Sequence, residues 1–256
     1  MPEKKAFTRS HYAGVRAMPE QDWFEDKPGP EQAGTSNGGS PLFKYANMDD
    51  PKPFFGFLEE ASEFAEARER VYEELFGKSD SVFHEILPLV PHIDVYVFPP
   101  NDKRDFYTFV TGGMSDLPMN APAELGPEYR RVEIVFYASE YREEYAGLLR
   151  SIAHFVHDYR AWLHWGHTMP NGQPPQPLFG TKHLDAMLFT SPIIRPDALL
   201  GEKLLLDSEP VNLLWLVPIT TAECELKLEQ GADALYDLLD ARNHPHVFTG
   251  ERESYV

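Results

Sequence analysis

The sequence predicts one α/β domain of the α+β kind: a mixed, largely antiparallel sheet of about six strands, flanked by helices. Three observations predict it. Ile93–Phe98 and Val132–Tyr137 alternate with period two, and Phe106–Thr111 is rich in β-branched and aromatic residues. Segments with helical spacing lie on either side of these runs. The order that results is helix, three strands, helix, three strands, two helices, and 42% apolar content over 256 residues is enough for a core.

Residues 1–53 are expected to form an arm with little regular structure. Pro28–Ser40 reads as a flexible link, and Asp49-Asp-Pro-Lys-Pro53 is a second breaker cluster. Trp23, Phe24 and Phe43 would drape the arm over the domain, which occupies 54–256 and has no internal repeat. The first helix is expected over Phe57–Gly77, with Leu58, Ala61, Ala65, Tyr72 and Leu75 inward and Gly77 as its cap. Three strands follow, the first two joined by a hairpin at Asn101–Arg104. Ser139 then caps a long helix with Glu140 and Glu143 in its first turn. Its apolar stripe runs from Tyr141 through Tyr145, Leu149, Ile152 and Val156 to Tyr159. Trp165–Gly180 reads as a long irregular loop. Strands are expected at His183–Phe189, Leu199–Leu206 and Val211–Val217, the last in a central position because it is almost wholly apolar. Thr220 and Glu223 form a capping box, Gly231 interrupts, and Ala232–Arg242 is the closing helix.

Charge narrows the function. Forty-one acidic residues against 23 basic ones give a net charge of −18. A nucleic-acid surface needs lysine and arginine to neutralise phosphates, and an anionic membrane needs them too, so neither is an expected partner. The acidity serves solubility, and it would also steer a basic protein partner. A single cysteine, Cys224, excludes a disulfide framework and a cysteine-rich zinc site. No segment has the ~20 apolar residues of a membrane span, and no signal-peptide pattern opens the chain, so a cytoplasmic protein is expected.

Two glycine- and proline-punctuated runs carry the identity. They are Thr111-Gly-Gly-Met-Ser-Asp-Leu-Pro-Met119 and Trp165-Gly-His-Thr168 followed by Leu178-Phe-Gly180. With His92-Ile-Asp-Val-Tyr-Val97, Val132-Glu-Ile-Val135 and the closing Thr220–Leu239, their order and spacing resemble the Suppressor of Fused domain, in its bacterial form, over roughly 82–239. That resemblance implies an α/β domain that binds other proteins without established catalysis. In animals the namesake sequesters zinc-finger transcription factors, whose peptide adds as a strand in a cleft between two domains. Bacterial members are suspected immunity proteins that neutralise toxins. Here the sequence ends at Val256, so a second, cleft-closing domain is not expected. His167 falls where the animal loop has an aspartate contacting the peptide, and Phe155 where it has a nearby tyrosine, so that particular contact should not carry over. The binding surface expected is Gly113, Met114, Ser115 and Asp116 with Trp165, Gly166, His167 and Phe179. The partner would be another protein, a basic toxin or a peptide segment; the oligomeric state is left open.

Enzymatic readings are the alternative. His154, His157, His164 and His167 pair at three-residue spacing, which would suit a metal-dependent hydrolase. The helical wheel places His154 and His157 on the solvated face beside Arg150, and no His-Glu-x-x-His is present. Gly113-Met-Ser-Asp116 lacks the final glycine of a nucleophile elbow. Asp94 and Glu133 are expected to hold loops by hydrogen bonds. No catalytic, metal or cofactor residue is assigned.

Overall fold

The computed structural model describes residues 29–45, 55–56, 58 and 60–256. Its elements are β1 (Glu31–Thr35), β2 (Pro41–Lys44), α1 (Ala61–Phe76), β3 (Ser81–Phe83), β4 (Asp94–Phe98) and β5 (Tyr107–Gly112). Next come β6 (Arg131–Ala138), α2 (Glu143–Asp158), β7 (His167–Pro170), β8 (Leu184–Thr190) and α3 (Arg195–Ala198). β9 (Leu205–Leu206), β10 (Glu209–Thr220), α4 (Thr221–Gln230) and α5 (Ala232–Ala241) complete the chain.

Every residue of β6 is buried, as expected of a strand covered on both faces. The main sheet runs β3-β4-β5-β6-β10-β8-β7, with β9 paired on β10. Among the described strands β6 and β10 pair in parallel, and the other strand pairs are antiparallel. The sheet is thus the mixed, largely antiparallel one expected, with eight strands rather than about six. Two apolar layers sandwich it. Phe64, Val71, Tyr72 and Phe76 of α1 and Leu235 and Leu239 of α5 fill one face; Tyr145, Leu149, Ile152 and Val156 of α2 fill the other.

Local signals held where chemistry is specific. The Thr220 hydroxyl accepts from Glu223 N–H while the Glu223 carboxylate accepts from Thr220 N–H, so the capping box opens α4. Gly77 ends α1 at φ +93°. Asn101 and Arg104 exchange backbone bonds of 2.7 and 3.0 Å, closing the expected turn.

Four expectations are corrected. α2 starts at Glu143, not Ser139, because Ser139 N–H donates to Phe248 O at 2.9 Å and so stays with the sheet. Leu199–Leu206 is not one strand: Pro196 opens the short α3, a 3-10 turn at 200–202 follows, and Leu200, Leu204 and Leu206 are buried along this stretch. The Trp165–Gly180 loop contains β7, a four-residue strand ending at Pro170 and too short to show alternation. The link before Phe54 holds the β1–β2 hairpin, whereas Trp23 and Phe24 lie outside the described residues.

That hairpin is tied down at both ends. At its tip Gly38 N–H donates to Leu228 O at 2.7 Å, and Asn37 Nδ2 donates to Glu229 Oε2 at 2.8 Å. A Cβ on Gly38 would lie 2.3 Å from Gly231 N, so the close approach requires glycine. Past β2, the Tyr45 ring packs on Phe155 and Tyr159 at the end of α2, with centroids 4.8 and 5.9 Å away. The hairpin therefore bridges the C-terminal ends of α4 and α2.

Candidate functional site

The turn after β5 is a buried latch. Gly113 has φ +112°, and a Cβ there would sit 1.9 Å from His92 O, so no other residue fits. Glu133, fully buried on β6, accepts from Gly113 N–H and Ser115 N–H (both 3.0 Å) and from the hydroxyls of Ser115 and Thr111 (both 2.6 Å). Arg68, reaching in from α1, pairs with Asp116 and stands 3.9 Å from Glu133. Arg131 donates to the carbonyls of Ser115 and Asp116 at 2.8 and 2.9 Å. Burial pushes the Asp116 carboxyl up to about 6 although Arg68 opposes the shift. Asp94 works in the same way on another loop, accepting from Glu85 N–H at 2.8 Å.

This corrects the expected surface. Gly113, Met114, Ser115 and Asp116 are all buried, Met114 at 0% exposure, so their side chains present nothing to a partner. It also corrects His157, which is 1% exposed and bonded through Nε2 to Met114 O at 2.8 Å. The latch packs over the flank of α2 that the helical wheel had assigned to solvent. Ser115 is sealed against Glu133 and no substrate reaches it. What the turn does is position: Leu163 N–H lies 3.4 Å from Met119 Sδ, and Asn120 Nδ2 donates to Arg160 O at 3.3 Å, fixing the segment that leads out to Trp165.

That segment forms the outer end of the sheet. β7 pairs with β8 on one side, and among the described residues no strand pairs with its other side. An aromatic group stands at its head. Trp165, 40% exposed, packs on Tyr129 (5.8 Å) and His164 (5.0 Å); Trp162 packs on His167 (4.4 Å). Gly166 is buried beside Ala232 and Tyr236 of α5. Phe179 does not join them. Its ring turns inward onto Tyr145 at 4.7 Å and Phe136 at 5.5 Å, from a backbone at φ +56°. Of the eight candidates, only Trp165, Gly166 and His167 stand together at this edge.

Burial holds the imidazoles here neutral. His164 lies below its ordinary range, and His167 is pushed down to about 4 by burial, with the Lys227 ammonium and His164 adding to it. His244, beneath the C-terminal segment, is pushed down to about 4 by burial, with Arg252 adding to it. The unfolded chain protonates each near ~6.5. Through these groups the unfolded state binds protons between pH 6.5 and 4 that the fold does not, so their contribution to stability falls as pH falls through that window, while Asp116, whose buried carboxyl takes up its proton at higher pH in the fold, contributes with the opposite sign. Urea unfolding from pH 7.5 to 4.5 is expected to show a loss of about 1–3 kcal/mol for each of His167 and His244, at ~1.4 kcal/mol per pKa unit. His167→Gln and His244→Gln should each flatten the slope; an unchanged slope would contradict it.

The four histidines of the hydrolase alternative go to three places. His154 bonds Glu85 at 2.6 Å, His157 bonds the latch, and His164 and His167 join the aromatic group. Among the described residues, no group of three or more histidine, cysteine, aspartate or glutamate side chains is arranged to hold a metal ion. Two members of the edge were not singled out from sequence, Tyr129 and Lys227. Tyr129 is 36 residues distant along the chain from Trp165. Lys227 looks like one more surface lysine of an amphipathic helix.

The family described as Suppressor of fused protein (SUFU) matches residues 90–253. A protein of Neisseria gonorrhoeae FA 1090, described as a SUFU homolog, has the same fold over 76% of this chain and 98% of its own, at 16% identity and a TM-score of 0.58. The Sufu–Fu complex structure aligns over 80% of this chain and 93% of its own, at 13% identity and a TM-score of 0.49. Drosophila Suppressor of Fused aligns over 74% and 50%, at 15% identity and a TM-score of 0.45. No curated protein matches the sequence.

Proposed function

The chain belongs to the Suppressor of fused family, and from that premise we propose that it is a non-catalytic protein-binding module that takes a segment of another protein along the outer edge of β7. The observation that carries this reading is the side of β7 that no strand among the described residues pairs with, next to a half-exposed tryptophan. An open strand edge offers backbone donors and acceptors for strand addition, and an adjoining tryptophan supplies an anchor. The opposite edge is less suited: β3 has three residues, and Arg150 donates to the carbonyl of Phe83. Pro170 keeps the β7 edge short, which guards it against unspecific pairing.

A toxin-neutralising role is the most concrete form of the proposal. The net charge of −18 suits covering a basic enzyme and speeds the encounter. Affinity capture from the cells that make the protein tests it. Wild-type bait should enrich one protein, and Trp165→Ala bait should retain at least tenfold less of it. Equal capture by both baits would move the binding surface away from β7.

A further inference from the structure

Lys227, in the last turn of α4, is 5% exposed and makes no ion pair with a carboxylate among the described residues. Burial lowers its affinity for the proton, and its charge is felt by His167 at the head of β7. The neighbouring acids are engaged elsewhere. Glu223 takes both guanidinium nitrogens of Arg252 at 2.6 Å, Asp185 takes the N–H and hydroxyl of Thr221, and Glu229 takes Asn37. The hairpin tip sits on this turn, where Gly38 packs against the backbone of Lys227 and Gly231.

A largely buried lysine with no counter-charge is costly, and a helix position of this kind is easily filled by an apolar residue instead. It makes physical sense where an anion arrives from outside. We propose that the segment bound at β7 carries a carboxylate, from an aspartate or glutamate side chain or from a free C-terminus, that docks on the Lys227 ammonium beside His167. The inference rests on the edge-strand reading of function and adds the chemistry of the partner. The four-carbon stem lets the ammonium swing toward the strand edge. The two neutral imidazoles there neither compete for the carboxylate nor repel a backbone. A partner that is basic overall would present this acid as a local feature.

The test uses random dodecapeptides, half with free and half with amidated C-termini, selected on immobilised full-length protein and read by mass spectrometry. Wild type should enrich peptides with an acid at one fixed position, or only those with a free terminus. The two halves thus separate the two sources. Enrichment should drop at least tenfold on Lys227→Met, persist on Lys227→Arg, and depend on Trp165. Peptides that need Trp165 but carry no acid, or that ignore Lys227→Met, would overturn this inference and leave the edge reading standing. Peptides indifferent to Trp165, or no enrichment at all, would overturn both. Independently, Lys227→Met should raise the melting temperature by about 2–4 °C by removing the buried charge. A fall would show that the lysine already has a partner in the free protein, and would overturn the inference too.

Discussion

Replacing Glu133 by alanine is expected to cost about 3–5 kcal/mol, the largest loss of any single substitution outside the apolar core. Four donors lose their acceptor at once: two backbone N–H groups and two hydroxyls, all buried. Each orphaned donor costs ~1–3 kcal/mol before relaxation, and Arg68 is left with Asp116 alone. For a domain of this size that is a fall of about 10 °C in melting temperature. Glu133→Gln keeps one acceptor oxygen and should fall between the two. Thermal unfolding followed by circular dichroism reads both, and an alanine variant melting within 2 °C of wild type would show that the latch is not held as described.

The second large effect separates binding from folding. Trp165→Ala should weaken partner affinity about 30-fold, the ~2 kcal/mol of a tryptophan anchor, while moving the melting temperature by less than 2 °C. Trp165 is 40% exposed, so its truncation removes little buried apolar contact. Met114→Ala should do the reverse. Its side chain is fully buried between the latch and α2, so truncation costs about 2–5 kcal/mol of stability, and the folded fraction should bind as before. Titration calorimetry with the captured partner, paired with urea unfolding, separates the two. Met114→Ala weakening affinity at full stability would return the glycine-rich turn to the binding surface.

These two residues show what was legible in the sequence. Met114 and Trp165 both sit in glycine-punctuated runs, and composition alone marks both runs as special. The physical roles differ because Glu133, 19 residues beyond Met114, supplies the acceptors that draw one turn inward. That Glu133 holds a loop was expected, but which loop it draws inward was not, since a contact across the sheet leaves no periodic trace. The strands β4, β5, β6, β8 and β10 were readable because each is covered on at least one face and its apolar residues recur at period two or run together. β7 was not, since an edge strand of four residues takes its identity from the neighbour it pairs with. His157 escaped for the same reason as Met114: the helical wheel sees one packed face, and the latch supplies a second. The capping box at Thr220 was legible to the residue because both its partners lie within one turn.

That another protein docks on the β7 edge is open to one direct measurement. Backbone hydrogen exchange of the full-length chain, alone and saturated with the partner it captures, measures this directly. Protection is expected to rise at Thr168, whose N–H faces away from β8, and around Trp165, with the latch at 113–116 equally protected in both states. Protection appearing at β3 or along α1, with β7 unchanged, would contradict it.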